Sequence, residues 1–388
     1  MYTKKRKILA VTGARSEYDI ISPILEHLKE NSEIDLGIIV TGSHLSEAFG
    51  NTVTEIEKDG YNIIARIYNL INSNKKIGRI LSLGNQIAPL AQVFEQWQPD
   101  IVMVAGDREE AISVSMTAAY MDIPVAHIAG GDIAKDGNID NSVRYATSKF
   151  AHIHFTILKQ HKENLIRLGE DEWRIHNLGN PALDKFINTK KLTIEELENK
   201  TGYNLNNGQF GMLIYHPIIT QIDSEGENIN TIIQSLRKTN LKYLINSPNS
   251  DAGYANIVKY YEENLLNDKQ FTLFKNLDRE IYVNLLRHSK ILVGNSSSGL
   301  IEAPSLSLPV INIGPRQKSR FNAGNVIFVD YDEKEINNAI DLTQSDLFKE
   351  NIKNIKNPYG NGESALNIAN VLFTLNIDKE LIHKNITY

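Results

Sequence analysis

Between Met103 and Arg144 the chain sets acids and arginines where short apolar runs end. Asp107 and Arg108 follow Gly106, Asp132 follows Gly130-Gly131, and Asp140 precedes Arg144 by one helical turn. Carboxylates that converge push one of their pKa values upward, which suits general acid–base work, and guanidinium groups match phosphate geometry. Metal binding is the rival reading of three carboxylates, but no His-x-x-His or Asp-x-Asp pair accompanies them, and no metal is expected. A second cluster, Gly294-Asn295-Ser296-Ser297-Ser298-Gly299 with Glu302 behind it, offers N–H and O–H donors to a diphosphate. Its glutamate suits two adjacent ribose hydroxyls; a serine-rich helix N-cap with a solvated acid is the alternative. Arg15, in the turn Gly13-Ala14-Arg15, and Arg316, after Gly314-Pro315, add cations. The Gly13 turn suits a phosphate through free N–H groups at a helix N-terminus, although a plain strand–helix turn reads equally well. His44 and His216 stand at strand ends, and for His44 a satisfied loop residue competes with a catalyst.

These side chains need a scaffold that ends strands in loops along one edge. Buried parallel strands read as short apolar runs, and open α/β sheets bind ligands beyond their C-terminal ends. In the first half such runs occupy residues 8–11, 36–40, 63–67, 100–105, 124–128, 152–157 and 174–178. Helical stretches alternate with them, at 18–29, 76–97 (Ile77, Ile80, Leu81, Ile87, Leu90, Val93 and Phe94 at helical spacing) and 160–168. The pattern breaks at Gly179-Asn180-Pro181 and restarts with strands at 210–215, 243–246, 271–274, 291–293, 310–313 and 326–329. The fold class is α/β, with two doubly wound, Rossmann-like halves facing a cleft in which a nucleotide diphosphate would be clamped. The expected domains are 1–180, carrying the acid cluster, 181–363, binding the nucleotide, and a C-terminal helix in 364–388 that packs back on the first domain.

Length and composition agree with that scheme. A chain of 388 residues exceeds one ordinary core, and 41% hydrophobic with 23% charged residues is a globular composition. A net charge of −6 gives no overall attraction to nucleic acid or anionic membrane, so an anionic ligand must be held locally. The absence of cysteine excludes disulfides and thiolate catalysis and fits a reducing compartment. Lys4-Lys5-Arg6-Lys7 is followed by too short an apolar run for a signal peptide, and no stretch suits a membrane span, so a cytoplasmic protein is expected.

Taken together, GDRE, HIAGGD, IDNSVR, the His216-Pro217 strand end, GNSSSGLIEAPS, PVINIGPRQ and NPYGNGES resemble the hydrolysing UDP-N-acetylglucosamine 2-epimerases of sialic-acid-type sugar biosynthesis. The resemblance runs from Arg15 to Gly362 and implies a GT-B-like fold. The reaction it implies is anti elimination of UDP from UDP-GlcNAc to a glycal, then addition of water to give N-acetylmannosamine and UDP. It implies no nicotinamide or other cofactor, a UDP-sugar substrate, and a homodimer or homotetramer. By position, Asp107 matches a catalytic aspartate, Asp140 the acid working at the sugar C2 or the added water, and Arg144 the arginine that orients that acid. His216 matches a histidine near the leaving group, and His44 the histidine of a Gly-Ser-His motif. Arg15, Arg108, Asn276, Ser296, Ser297, Glu302 and Arg316 fall at UDP-binding positions, with Glu302 on the ribose.

The departures lie on the sugar side. Ala129 replaces a catalytic glutamate, leaving Asp132 as the acid of that motif; Asn141 replaces the second aspartate of a pair, Tyr145 a histidine and Ile20 a lysine. Relatives acting on UDP-2,4-diacetamido-2,4,6-trideoxyglucose also lack that glutamate, so this sugar is the nearest alternative substrate. A non-hydrolysing 2-epimerase, a GT-B glycosyltransferase and a non-catalytic UDP-sugar sensor complete the alternatives.

Overall fold

Short, mostly apolar runs form the strands. The computed structural model describes residues 5–73, 75–133, 139–248, 253–274, 277–318 and 320–387. These fall into two units, Met1–Lys185 with Tyr359–Tyr388, and Phe186–Pro358. The first contains β1 (Arg6–Thr12), β2 (Ile34–Thr41), β3 (Ile63–Ile67), β4 (Ile101–Ala105), β5 (Val125–Ile128), β6 (Ile153–Thr156) and β7 (Ile175–Asn177), in the order β3-β2-β1-β4-β5-β6-β7. All pairings are parallel. Its main helices up to the end of β7 are α1 (Arg15–Glu30), α2 (Val53–Lys58), α3 (Lys76–Trp97), α4 (Glu109–Tyr120), α5 (Asp140–Phe150) and α6 (Lys159–Arg167).

Because helices cover both faces, the strands are apolar on both. Ile8, Ala10, Ile101 and Met103 join one core with α1, whereas Leu9, Val11, Val102 and Val104 join another with α3 and α4. The helix Ser364–Thr374 adds Ala365, Ile368, Ala369 and Leu372 to the α1 side. Of the apolar residues of α3 only Leu90 and Phe94, in its C-terminal half, are fully enclosed. Ile77, Ile80 and Leu81, which share the same helical spacing, are exposed. Spacing marks an apolar stripe but not how far along it a neighbour reaches.

The second unit repeats the plan with β8 (Phe210–Ile214), β9 (Lys242–Asn246), β10 (Phe271–Phe274), β11 (Leu292–Gly294), β12 (Val310–Ile313) and β13 (Val326–Val329), ordered β10-β9-β8-β11-β12-β13. In each sheet the winding reverses direction once, between β1 and β4 and between β8 and β11. Loops diverge there and leave a crevice at the C-terminal strand ends, the usual ligand position in such sheets. Among the described residues, no helix is long and apolar enough to cross a membrane.

Leu372 is fully buried in the core it shares with Ile21 and Ile24 of α1. Leu372→Ala is expected to lower the stability of the first unit by about 2–5 kcal/mol in urea unfolding. A loss under about 1 kcal/mol would show that the C-terminal helix contributes little to that core.

Candidate active site

The ends of β4 and β5 and the start of α5 bring Asp107, Asp132 and Arg144 together. The Arg144 guanidinium, mostly buried, forms an ion pair with Asp107 Oδ2 and donates to the Asp132 carbonyl at 3.1 Å. The resemblance gave Arg144 the orientation of Asp140; the geometry ties it to Asp107 and the Asp132 backbone. Asp140 is the first residue of α5, and its charge is felt by Asp107.

Two of these acids are driven in opposite directions. Burial raises the pKa of Asp107; Arg144 and Arg108 oppose this, Asp140 and Asp132 reinforce it, and the result is a raised value. Asp132 is also disfavoured as an anion by burial, but the hydrogen bond from His161 Nε2 (3.2 Å) and the charge of Arg144 outweigh this and hold it down at about 2. Its Oδ1 also accepts from the Ile133 N–H at 2.8 Å. Neighbouring carboxyls whose pKa values are driven apart are the usual arrangement for acid–base work.

Backbone conformation fixes this loop. Gly131 has φ +80°, and a Cβ there would fall 2.3 Å from the His161 carbonyl oxygen, so no larger residue fits. Ala129 is left-handed too (φ +64°) although it carries a Cβ, a conformation that costs about 1 kcal/mol. His127, buried in β5, ties the pieces together. Its Nε2 lies 2.8 Å from the Gly106 carbonyl and must carry the proton, so Nδ1 accepts from the Ser148 hydroxyl of α5 at 3.0 Å. Burial pushes its pKa down to about 3, so this link stays neutral. The motif HIAGGD contained His127, but only the fold shows that it joins the Asp107 turn to α5.

The Gly13 turn offers less to a phosphate than its sequence implied. The N–H groups of Gly13 and Ala14 donate to Glu17 Oε2 at 2.7 and 3.2 Å, so the chain's own carboxylate fills that position. Glu17, at the third position of α1, makes half of a capping box whose other half Ala14 cannot supply, which is why the sequence did not advertise it. Glu17 is buried, and burial and the neighbouring Glu110 push its pKa up to about 8. Glu110 is raised as well, by burial first, against Arg108. Arg108 Nε lies 3.9 Å from Glu110 Oε2, and Arg15, largely exposed, lies 3.7 Å from Glu55. His44 is fully buried, with Nε2 3.0 Å from Thr12 Oγ1 and Nδ1 2.7 Å from Thr52 Oγ1. Burial lowers its pKa to about 4, so the ring is neutral and both nitrogens are engaged. Among the described residues, no three His, Asp or Glu side chains are grouped to hold one metal ion.

In the second unit Asn295 is the organising residue, and nothing in the sequence singled it out from its serine neighbours. Its side chain accepts from the His216 N–H and donates to the His216 carbonyl, both at 2.8 Å, while its carbonyl accepts from Arg316 (3.2 Å) and Gln317 (3.1 Å). His216, the Ser296-Ser297 loop and Arg316, at the ends of β8, β11 and β12, are thereby brought together. Gly294 permits this, since a Cβ there would lie 2.1 Å from the Ile214 carbonyl oxygen. Behind the loop stands a single helical turn, Ser298–Ile301, with Glu302 at its end. Glu302 Oε2 is buried without a hydrogen-bond partner, and burial raises its pKa. Asn276 lies outside the described residues.

Two Rossmann-like units of the GT-B-like class, each with polar residues at its switch point, define a nucleotide-sugar enzyme fold. The chain belongs to the UDP-N-acetylglucosamine 2-epimerase family, whose model matches residues 26–373. It is 34% identical over 379 residues to "UDP-N,N'-diacetylbacillosamine 2-epimerase (hydrolyzing)" of Legionella pneumophila, covering 98% of each chain. It is 31% identical over 339 residues to "UDP-N-acetylglucosamine 2-epimerase" of Neisseria meningitidis serogroup B, covering 86% of each. The fold is similar to the crystal structure of UDP-GlcNAc 2-epimerase from Neisseria meningitidis bound to UDP-GlcNAc, with TM-score 0.75 and 24% identity over 94% of this chain and 99% of that one.

The Glu17–Glu110 pair sets a pH signature. Glu17 titrates near 4.5 when unfolded and near 8 when folded, so its penalty is absent below pH 4.5, grows through that interval and is complete above pH 8. Glu17→Gln keeps an acceptor for the two N–H groups and removes the titration. Its Tm is expected to exceed the parent's by roughly 2–6 °C at pH 8 and to lose that advantage near pH 4.5. A pH-independent difference in thermal melts would rule this out.

Proposed function

We propose that the chain is a hydrolysing 2-epimerase of a UDP-linked 2-acetamido sugar: anti elimination of UDP to a glycal, then addition of water, releasing the C2-epimerised sugar and UDP. The observation that carries this reading is the pairing around one arginine of Asp107, whose pKa burial raises, with Asp132, whose pKa is held low. Asp107, biased toward its protonated form, and Asp140 at the α5 N-terminus serve as the proton-transferring pair. Asp132 stays anionic and holds Arg144 and the loop. Elimination plus hydration is redox-neutral overall, so the reading needs no nicotinamide.

UDP falls to Ser296, Ser297, Arg316, His216 and Asn276 in the second unit, with Arg15 and Arg108 as further phosphate contacts. The buried, unpartnered Oε2 of Glu302 suits a ribose hydroxyl donor. His44, with both nitrogens engaged, takes a positioning role beside the Gly13 turn. A homo-oligomer agrees with the exposed Ile77, Ile80 and Leu81 on α3, and a UDP-sugar substrate agrees with a cytoplasmic location. For the sugar, Ala129 and the diacetylbacillosamine-named relative favour the 2,4-diacetamido-trideoxy compound over UDP-GlcNAc. A glycosyltransferase would need an acceptor, and the acid cluster favours the acceptor-free reaction.

Proton NMR in D₂O with each UDP-sugar tests the reading. Free 2-epimer deuterated at C2 together with UDP supports it. A UDP-linked epimer indicates the non-hydrolysing reaction, UDP release only with an acceptor a transferase, and binding without turnover of either sugar a sensor. Asp140→Asn is expected to lower kcat by about 10²-fold or more with UDP affinity nearly kept, because a transition-state interaction is removed. Equal loss of UDP binding, measured by calorimetry, would remove Asp140 from the catalytic set. Glu302→Ala should weaken UDP by about 1–3 kcal/mol, and unchanged affinity would leave Glu302 a buried structural acid.

A further inference from the structure

Helix α5 carries Asp140 and Arg144 at its N-terminal end, and its other end is held by the C-terminal tail. Arg174, fully buried, donates to the carbonyls of Leu381 (2.7 Å) and Glu380 (2.6 Å) and fixes the tail against the starts of β6 and β7, its guanidinium also meeting the His152 carbonyl at 3.3 Å. Lys384 then reaches inward. Its Nζ lies 2.5 Å from the Ala151 carbonyl, 2.9 Å from that of Lys149 and 3.2 Å from that of Ser148, the terminal acceptors of α5. Glu170, with no exposed side-chain surface, neutralises it at 2.6 Å and is held also by His154 Nε2 and Lys149 Nζ, both at 3.0 Å. From the same turn of α5 the Ser148 hydroxyl reaches through His127 to the Gly106 carbonyl beside Asp107.

An exposed lysine would serve as well if the C-terminal carbonyls merely needed a cation. A buried ammonium–carboxylate cluster is a weak source of stability, because desolvation offsets the attraction, but it admits few geometries. We propose that Lys384 is a positioning residue for the acid cluster: by fixing the C-terminal end of α5 it sets where Asp140 and Arg144 stand at the other. The catalytic part of this inference rests on the epimerase reading above. The mechanical link is direct, since a helix of 11 residues spans only about 16 Å and moves as a rod.

The test uses Lys384→Met in the full chain. The group that reports displacement is Asp107, which faces Arg144 and Arg108 as cations and Asp140 and Asp132 as anions. With Arg144 displaced, the cation that opposes burial is lost, and the Asp107 titration should move up by about one pH unit. This is read without turnover, by carboxyl ¹³C titration against Asp107→Asn, so failure of the epimerase reading does not obscure it. With substrate, kcat should fall about tenfold or more while UDP affinity is unchanged, and the acid limb of the pH profile should shift with Asp107. An unshifted Asp107 in folded Lys384→Met, or full kcat, would overturn the proposal. If that variant is unfolded at the assay temperature, Lys384→Arg keeps the charge beside Glu170 but cannot place the same donors on the three carbonyls. It must then show the same Asp107 shift, and a parent-like titration in Lys384→Arg would equally overturn it.

Discussion

The ion pair between Arg144 and Asp107 is the interaction on which the first unit's site depends. It joins the turn after β4 to the second turn of α5, and through the Asp132 carbonyl it also holds the loop after β5. A cation shared by several acceptors in a half-buried place gives each acid a different balance of burial and attraction. Asp107 is left with a raised pKa and Asp132 with a lowered one. The largest contribution that lowers Asp132 is the hydrogen bond from His161, which reaches that carboxylate.

The surrounding structure keeps that pair in place with neutral links where charge would compete. His127 is buried deeply enough to stay uncharged and therefore acts as a fixed donor–acceptor bridge between the Asp107 turn and α5. His44 plays the same part between β1 and the start of α2. Glu17 turns back onto the Gly13 turn, so the first unit's glycine turn is self-satisfied, whereas the second unit's glycine loop is held by Asn295 and keeps its serines at the strand end. One architecture thus gives acids in one unit and hydroxyl and guanidinium groups in the other.

Much of this was legible in the sequence. All the strands of both sheets were marked by apolar runs, because a parallel sheet covered on both faces must be apolar on both. Asp107, Arg108, Asp132, His216, Ser296 and Arg316 were visible because each follows a strand end, where parallel sheets place their loops, and Arg144 because it stands one helical turn after Asp140. What escaped were partners supplied from elsewhere in the chain. His161 reaches Asp132 from α6, Glu110 reaches the Gly13 turn from α4, and Asn295 works through its side-chain amide. Spacing placed α3 correctly but could not say that Ile77, Ile80 and Leu81 on it are exposed.

Local pattern, then, determined the alternation of strands and helices, the two-part plan and the identity of the polar residues at the strand ends, since those follow from periodicity and covalent neighbourhood. Tertiary structure alone decided which acid's pKa is raised and which lowered, which histidines are bridges and which carboxylate Arg144 pairs with. Those properties depend on burial and on charges a few ångströms away, and such neighbours are set by how the strands are ordered in the sheet rather than by their order along the chain.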